Sequence, residues 1–225
     1  CSSDLGQAIT DIHQAVVRTG FREVQNIALS TAVLKASAGL EERLFDRRAF
    51  WQHCMSTAFI AVRLAEVSTA VGRVRSDLLH LAGLTHDVGR LLLETYFPEK
   101  LEACLRAAVA LGQPLFEVER NLLGVDHAEL GSLLAEHWNF PADAHEAVAL
   151  HHQPQHAGES NQAAVAIIHL ANYASNTHDL GAGGDVARPV FHNTAWELAG
   201  LTPTVLNDVV VQACDLEDEI GQVLG

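Results

Sequence analysis

Apolar residues recur at three- and four-residue spacings along nearly the whole chain, while the two-residue alternation of a half-buried strand is scarce. A chain patterned this way hides its apolar stripes only by packing helix on helix, so the expected fold class is all-α, a multi-helix bundle. At 225 residues and 48% hydrophobic content there is ample material for one large core.

Helix ends are set by glycine, proline and short polar side chains. A first pair of helices is expected over Asp11–Thr19 and Arg22–Ala36, broken at Gly20. A third runs from about Asp46 to Val71, with Trp51, Met55, Ala58, Val62 and Ala65 on one stripe and His53 projecting from its first half. Ser76 or Asp77 can cap the next, whose Leu78, Leu79, Leu81, Ala82 and Leu84 lead into His86-Asp87 and Gly89. Pro98 opens a helix that Gly112 and Pro114 end. Asp126 and Glu129 have capping-box spacing for a helix through Trp138, and Pro141 opens one that carries Ala147, Val148 and Leu150 into His151-His152. A long apolar helix over Asn161–Asn176 includes Asn172. Residues 178–189 are rich in glycine and read as the longest loop, a lid or a subdomain boundary, and residues 193–225 close the chain as two helices, Asn193–Gly200 and Pro203–Leu224.

Twenty-eight acidic against fourteen basic residues give a net charge of −14, which repels polyanions and disfavours nucleic acid as a partner. No run of residues is long and apolar enough for a membrane span and the N-terminus has no secretory pattern, so the chain is read as soluble and cytoplasmic. Cys1, Cys54, Cys104 and Cys214 are scattered, and three of them lie in helical apolar patterns as reduced core residues. Trp51, Trp138 and Trp196 read as core anchors. The glycines have no phosphate-loop spacing and no G-x-S-x-G occurs.

Five histidines and one aspartate, His53, His86-Asp87, His127 and His151-His152, stand where a plain core would use leucine. Imidazole and carboxylate suit zinc, iron and manganese, and a helical bundle can gather such ligands from several helices. Taken singly, each is explained as a core histidine bonded to a carbonyl or as a helix-end cation. Taken together, four separate helices each present histidine in apolar surroundings, which indicates a buried metal site or the relic of one. His13, His80, His137, His145, His156, His178 and His192 share no spacing and read as surface or satisfied core residues.

The order His, His-Asp, His, His-His resembles the HD superfamily of metal-dependent phosphohydrolases and, more closely, the HDOD family, regulatory relatives of HD-GYP phosphodiesterases. The stretches that carry the resemblance are FWQHCMSTAFIAVRLA, LLHLAGLTHDVGRLLL, LLGVDHAELGSLLAEHWNFP and EAVALHHQP, with ITDIHQAVVRTGFREVQNIALSTAVL before them and AWELAGLTPTVL after. The resemblance implies an HD-domain-like bundle, with residues 1–225 forming a single domain that lacks helices usually found upstream. It implies His53, His86 and Asp87 as metal ligands, Asp87 bridging, and His127, His151 and His152 as ligands of a second ion. Asn172 falls where catalytic members place a ligating aspartate.

Three departures weigh against catalysis: Asn172 is neutral, the glycine-tyrosine-proline signature is missing after His151, and Ala49 cannot supply an extra carboxylate. Arg90 takes a position where many HD enzymes have a phosphate-facing lysine, and is otherwise a surface arginine near a helix end. Two classes stay open. One is a non-catalytic bacterial signalling module that works with other signalling domains or proteins, holds a small phosphorylated ligand in the old pocket, or forms a homodimer. The other is a phosphohydrolase using a divalent metal (Fe, Mn, Zn or Ni), with Asp87 and Arg90 catalytic.

Overall fold

The computed structural model describes residues 45–70, 74–184 and 190–223; the helices expected over Asp11–Thr19 and Arg22–Ala36 lie outside these. Every regular element among the described residues is helical, so the fold is an all-α multi-helix bundle. No helix among them is long and apolar enough to cross a membrane.

Helix α1 spans Arg47–Val67, and Asp46 caps it by accepting from the N–H groups of Arg48 and Ala49 at 2.7 and 3.2 Å. It ends four residues before the expected Val71, because Ser68 turns extended and its hydroxyl bonds the Ala199 carbonyl at 2.6 Å. The stripe it buries is also rotated from the expected one: Phe50, Cys54, Thr57, Ala61 and Leu64 are buried together with Ala58 of the expected stripe, whereas Trp51, Met55, Val62 and Ala65 are half-buried flanks. Helix α2, Ser76–Thr85, is capped by neither Ser76 nor Asp77. Both lie inside its first turn, and Asp77 pairs there with Arg75. A Cβ on Gly83 would meet Ala58 Cα at 2.5 Å, so α1 and α2 cross in backbone contact.

Helix α3, Val88–Tyr96, starts immediately after Asp87 and was not expected; neither was α5, Leu115–Leu123, after Pro114. Between them, α4 runs Pro98–Leu111, with proline at its start and Gly112 at φ 62° past its end. Helix α6, His127–His137, has the full capping box of Asp126 and Glu129. Helix α7, Ala142–Leu150, follows Pro141 and gives way to a 3₁₀ turn at Pro154–His156. Helices α8 (Gln162–Thr177), α9 (Thr194–Ala199) and α10 (Pro203–Val223) complete the described chain. Two expected core residues lie at the surface instead: Trp138, the C-cap of α6, is 39% exposed, and Cys214 is exposed on α10.

One apolar cluster joins the C-terminal part of α1 with α2, α7, α8, α9 and α10; a second joins the start of α1 with α3, α4 and α5. Helices α3 and α6 pack together, as do α6 with α7 and α2 with α7. This closes a ring of elements around a polar centre drawn from both halves of the bundle.

Candidate metal centre

His53 comes from α1, His86 and Asp87 from the α2–α3 turn, Arg90 from the first turn of α3, His127 from the start of α6, and His151 and His152 from the end of α7. All are buried, His152 being the most exposed at 7%. Asp87 is the N-cap of α3 but makes no capping bond, so its carboxylate is available to the centre. Phe116 stacks on the His152 ring at 4.3 Å and covers that edge.

The ring orientations are fixed from behind. His86 Nδ1 donates to the Gly83 carbonyl at 2.8 Å and His151 Nδ1 to the Val148 carbonyl at 2.8 Å. His127 Nδ1 donates to Glu119 Oε2 at 2.6 Å, and the same oxygen accepts the His127 backbone N–H at 2.9 Å. Ser175 Oγ donates to the Leu180 carbonyl at 3.1 Å, which leaves it to accept from His53 Nδ1 at 3.1 Å. Assigned from this network, Nδ1 is protonated on all four rings, and each presents its Nε2 to Asp87.

Asp87 therefore sits between two sets of donors. Its Oδ2 lies 3.4 Å from His86 Nε2 and 3.7 Å from His53 Nε2, and those two nitrogens are 3.3 Å apart. Its Oδ1 lies 3.2 Å from His127 Nε2 and 3.5 Å from His151 Nε2, with His152 Nε2 at 2.8 Å from His127 Nε2. Ligands of a tetrahedral ion with bonds near 2.05 Å are about 3.3 Å apart. Each set thus resembles a face of such a site, with Asp87 common to both. His151 Nε2 is buried with no hydrogen-bond partner, an orphaned acceptor facing carboxylate oxygen. Neutral imidazole nitrogens beside a shared carboxylate are the donor set of a cation site, and the buried His/Asp cluster is able to hold a metal ion.

Arg90 supplies one cation already. Far from the surface position open to it in sequence, its side chain is 0% exposed. Nη1 forms an ion pair with Asp87 Oδ2 at 2.8 Å and donates a hydrogen bond to the Gly183 carbonyl, while Nη2 is 3.2 Å from His127 Nε2. Burial alone would raise the Asp87 carboxyl, but Arg90, His86 and His127 hold it well below the usual carboxylate range. Burial keeps His86 and His152 neutral, well below the ordinary imidazole value. For His127, burial and Arg90 act downward, and the Glu119 and Asp87 carboxylates outweigh them and lift it to about 10.

Asn172 is buried on α8, but its side-chain oxygen accepts from Asn176 Nδ2 at 2.6 Å within its own helix. Residues 178–184 pack onto the centre: Ala182 N–H bonds the Ala49 carbonyl at 2.8 Å, and a Cβ on Gly183 would come within 2.9 Å of Asp87 Oδ2. Four contributors were not singled out from sequence: Glu119, Ser175, Gly183 and His169. Burial draws His169 down to about 4, and its Nδ1 donates to the His151 carbonyl at 2.8 Å, steadying the end of α7. The apolar setting of His169 on α8 was the available signal, the same one that marks His53.

The HDOD domain family model matches residues 3–154 of the chain. The chain belongs to the HDOD domain family. Several solved structures share this HDOD fold. A Marinobacter aquaeolei VT8 protein, provisionally named a signal transduction protein, is 22% identical with a TM-score of 0.68, over 78% of this chain and 38% of that one. A Shewanella amazonensis SB2B protein, provisionally named a phosphohydrolase, is 26% identical with a TM-score of 0.59, over 96% of this chain and 78% of that one. An uncharacterized protein of Treponema pallidum (strain Nichols) is 25% identical over 162 residues, which is 72% of this chain. The matched region spans 31% of the Treponema protein, under a third of its length.

Proposed function

We propose that this HDOD domain is a bacterial signal-transduction module that does not catalyse hydrolysis and keeps an HD-type metal pocket as a structural or regulatory centre. The observation that carries this reading is the buried Arg90 guanidinium, paired with Asp87 and donating to the Gly183 carbonyl instead of facing solvent. An HD-type hydrolase needs an ion with an open coordination position and a path for substrate. Here the donors are packed closely enough for an ion, yet His53, His86, Asp87, Arg90, His127 and His151 are all 0% exposed. Neutral Asn172, tied to Asn176, adds no carboxylate. The signalling name carried by the Marinobacter protein agrees with this reading. On it, the partners are other signalling domains or proteins, or a second copy of the chain.

A second reading is favoured by the two donor sets meeting at Asp87 and by the name of the Shewanella protein. On that reading His53, His86 and Asp87 would hold one ion and Asp87, His127, His151 and His152 another, of Fe, Mn, Zn or Ni. Such ions acidify bound water and polarise phosphoryl oxygens. The deciding assay measures turnover of phosphomonoesters, phosphodiesters and cyclic dinucleotides with each metal supplied, in wild type and His86→Ala. The regulatory reading expects no difference between the two; metal-dependent turnover that disappears in His86→Ala overturns it.

A further inference from the structure

Asp87 is shared by both donor sets, and it is already engaged. Its Oδ2 is closer to Arg90 Nη1, at 2.8 Å, than to His86 or His53 of its own set, at 3.4 and 3.7 Å. Through Nη2 the same guanidinium also reaches His127 Nε2 of the other set, at 3.2 Å. Gly183 packs against the same pair. A Cβ there would stand 2.6 Å from Nη1 and 2.9 Å from His53 Cδ2, so backbone is pressed against the ion pair where any larger residue would intrude. Bringing a divalent ion to Asp87 beside an unmoved guanidinium would crowd three positive charges around one buried carboxylate, a repulsion that a low-dielectric interior screens poorly.

We propose that Arg90 is a built-in counter-cation that competes with divalent metal for Asp87 and His127. It keeps the histidine centre charge-balanced and folded without metal, and an ion is taken up only by displacing the guanidinium. This rests on the regulatory reading and deepens it, since the two alternative occupants of Asp87 are what a regulatory centre would switch between.

The test is zinc and manganese affinity, measured by competition with a chromogenic chelator, for wild type, Arg90→Met and Arg90→Lys, with thermal melts of each in chelator and in excess zinc. The expected result is at least tenfold tighter zinc binding by Arg90→Met, with Arg90→Lys in between. Wild type should stay folded in chelator, and the Arg90→Met melt should rise with zinc. Zinc bound no more tightly by Arg90→Met than by wild type, or unfolding of wild type by chelator, would overturn the proposal. Should Arg90→Met fold only with zinc, the competition is supported. The double variant Asp87→Asn/Arg90→Met, lacking both charges, should fold without metal and bind none; its failure to fold would show that Arg90 acts through packing and would also overturn the proposal. Phosphoesterase turnover on the same samples bears on the regulatory reading alone.

Discussion

Replacing Gly89 with alanine should break the contact that brings His127 to Asp87. Gly89 lies in the first turn of α3 against the start of α6, and a Cβ there would fall inside contact distance of the His127 carbonyl oxygen, 2.8 Å from its carbon and 2.9 Å from Gly131 N. These are backbone atoms and cannot rotate away, so the helices must part by roughly 1 Å, at the upper end of the ~1–3 kcal/mol typical of over-packing. Alanine returns about 1 kcal/mol through helix propensity, leaving a net loss of roughly 2 kcal/mol. For a chain of this size that lowers Tm by roughly 4–8 °C. Urea melts compared with Gly112→Ala provide the control. Gly112 has nothing within 4 Å of a built Cβ and a φ of 62°, so only left-handed strain of ~1–2 kcal/mol is expected there. The informative difference is at the site: parting α3 from α6 should also lengthen the 3.2 Å contact of His127 with Asp87, and the His127 proton resonances should shift in Gly89→Ala but not in Gly112→Ala. Wild-type stability together with unshifted resonances in Gly89→Ala would refute the argument.

Three further outcomes follow from the buried charges. Asp87→Asn leaves Arg90 and His127 buried without their shared anion and should cost about 3–5 kcal/mol in urea melts, more than removal of any one histidine. The folded-state value of His127, about 10, is above its ordinary 6.5, so its contribution to metal-free stability is fully present below about 6.5 and is lost as pH rises through about 10. Melts across that range should show stability falling with pH, and Glu119→Gln should flatten the slope; an unchanged slope would show that Glu119 does not hold the His127 proton. Ser175→Ala removes the acceptor of His53 Nδ1 and should cost ~1 kcal/mol, with Ser175→Thr retaining part of it.

The sequence disclosed those parts of the molecule whose causes are local. The capping box at Asp126 and Glu129, the proline at 98 and the glycine at 112 all mark boundaries that the structure keeps, because a cap or a left-handed φ acts over a few residues. The all-α class follows from periodicity, and the gathering of His53, His86, Asp87, His127, His151 and His152 from their shared apolar surroundings and order. Helices α3 and α5 are hidden in the sequence because each follows a strong punctuation, the His86-Asp87 turn and Pro114, that reads as an ending. The buried face of α1 differs from the expected stripe because small side chains such as Thr57 and Ala61 are buried on it, while Trp51 stays half-buried beside the second apolar cluster. Arg90 looked like a surface or phosphate-binding residue since its partners, Gly183 and His127, lie 93 and 37 residues away. Glu119 is inconspicuous in the sequence for the same reason: an acidic residue on an amphipathic helix is ordinary until the fold sets His127 against it.

A buried guanidinium paired with Asp87 occupies the heart of this centre. A crystal structure of protein purified without chelator, with anomalous data collected at the zinc, iron and manganese edges, tests it most directly. Arg90 should lie between Asp87 and the Gly183 carbonyl with no solvent path to the histidines. A metal-bound water at Asp87, with Arg90 turned out toward an open cleft, would contradict it.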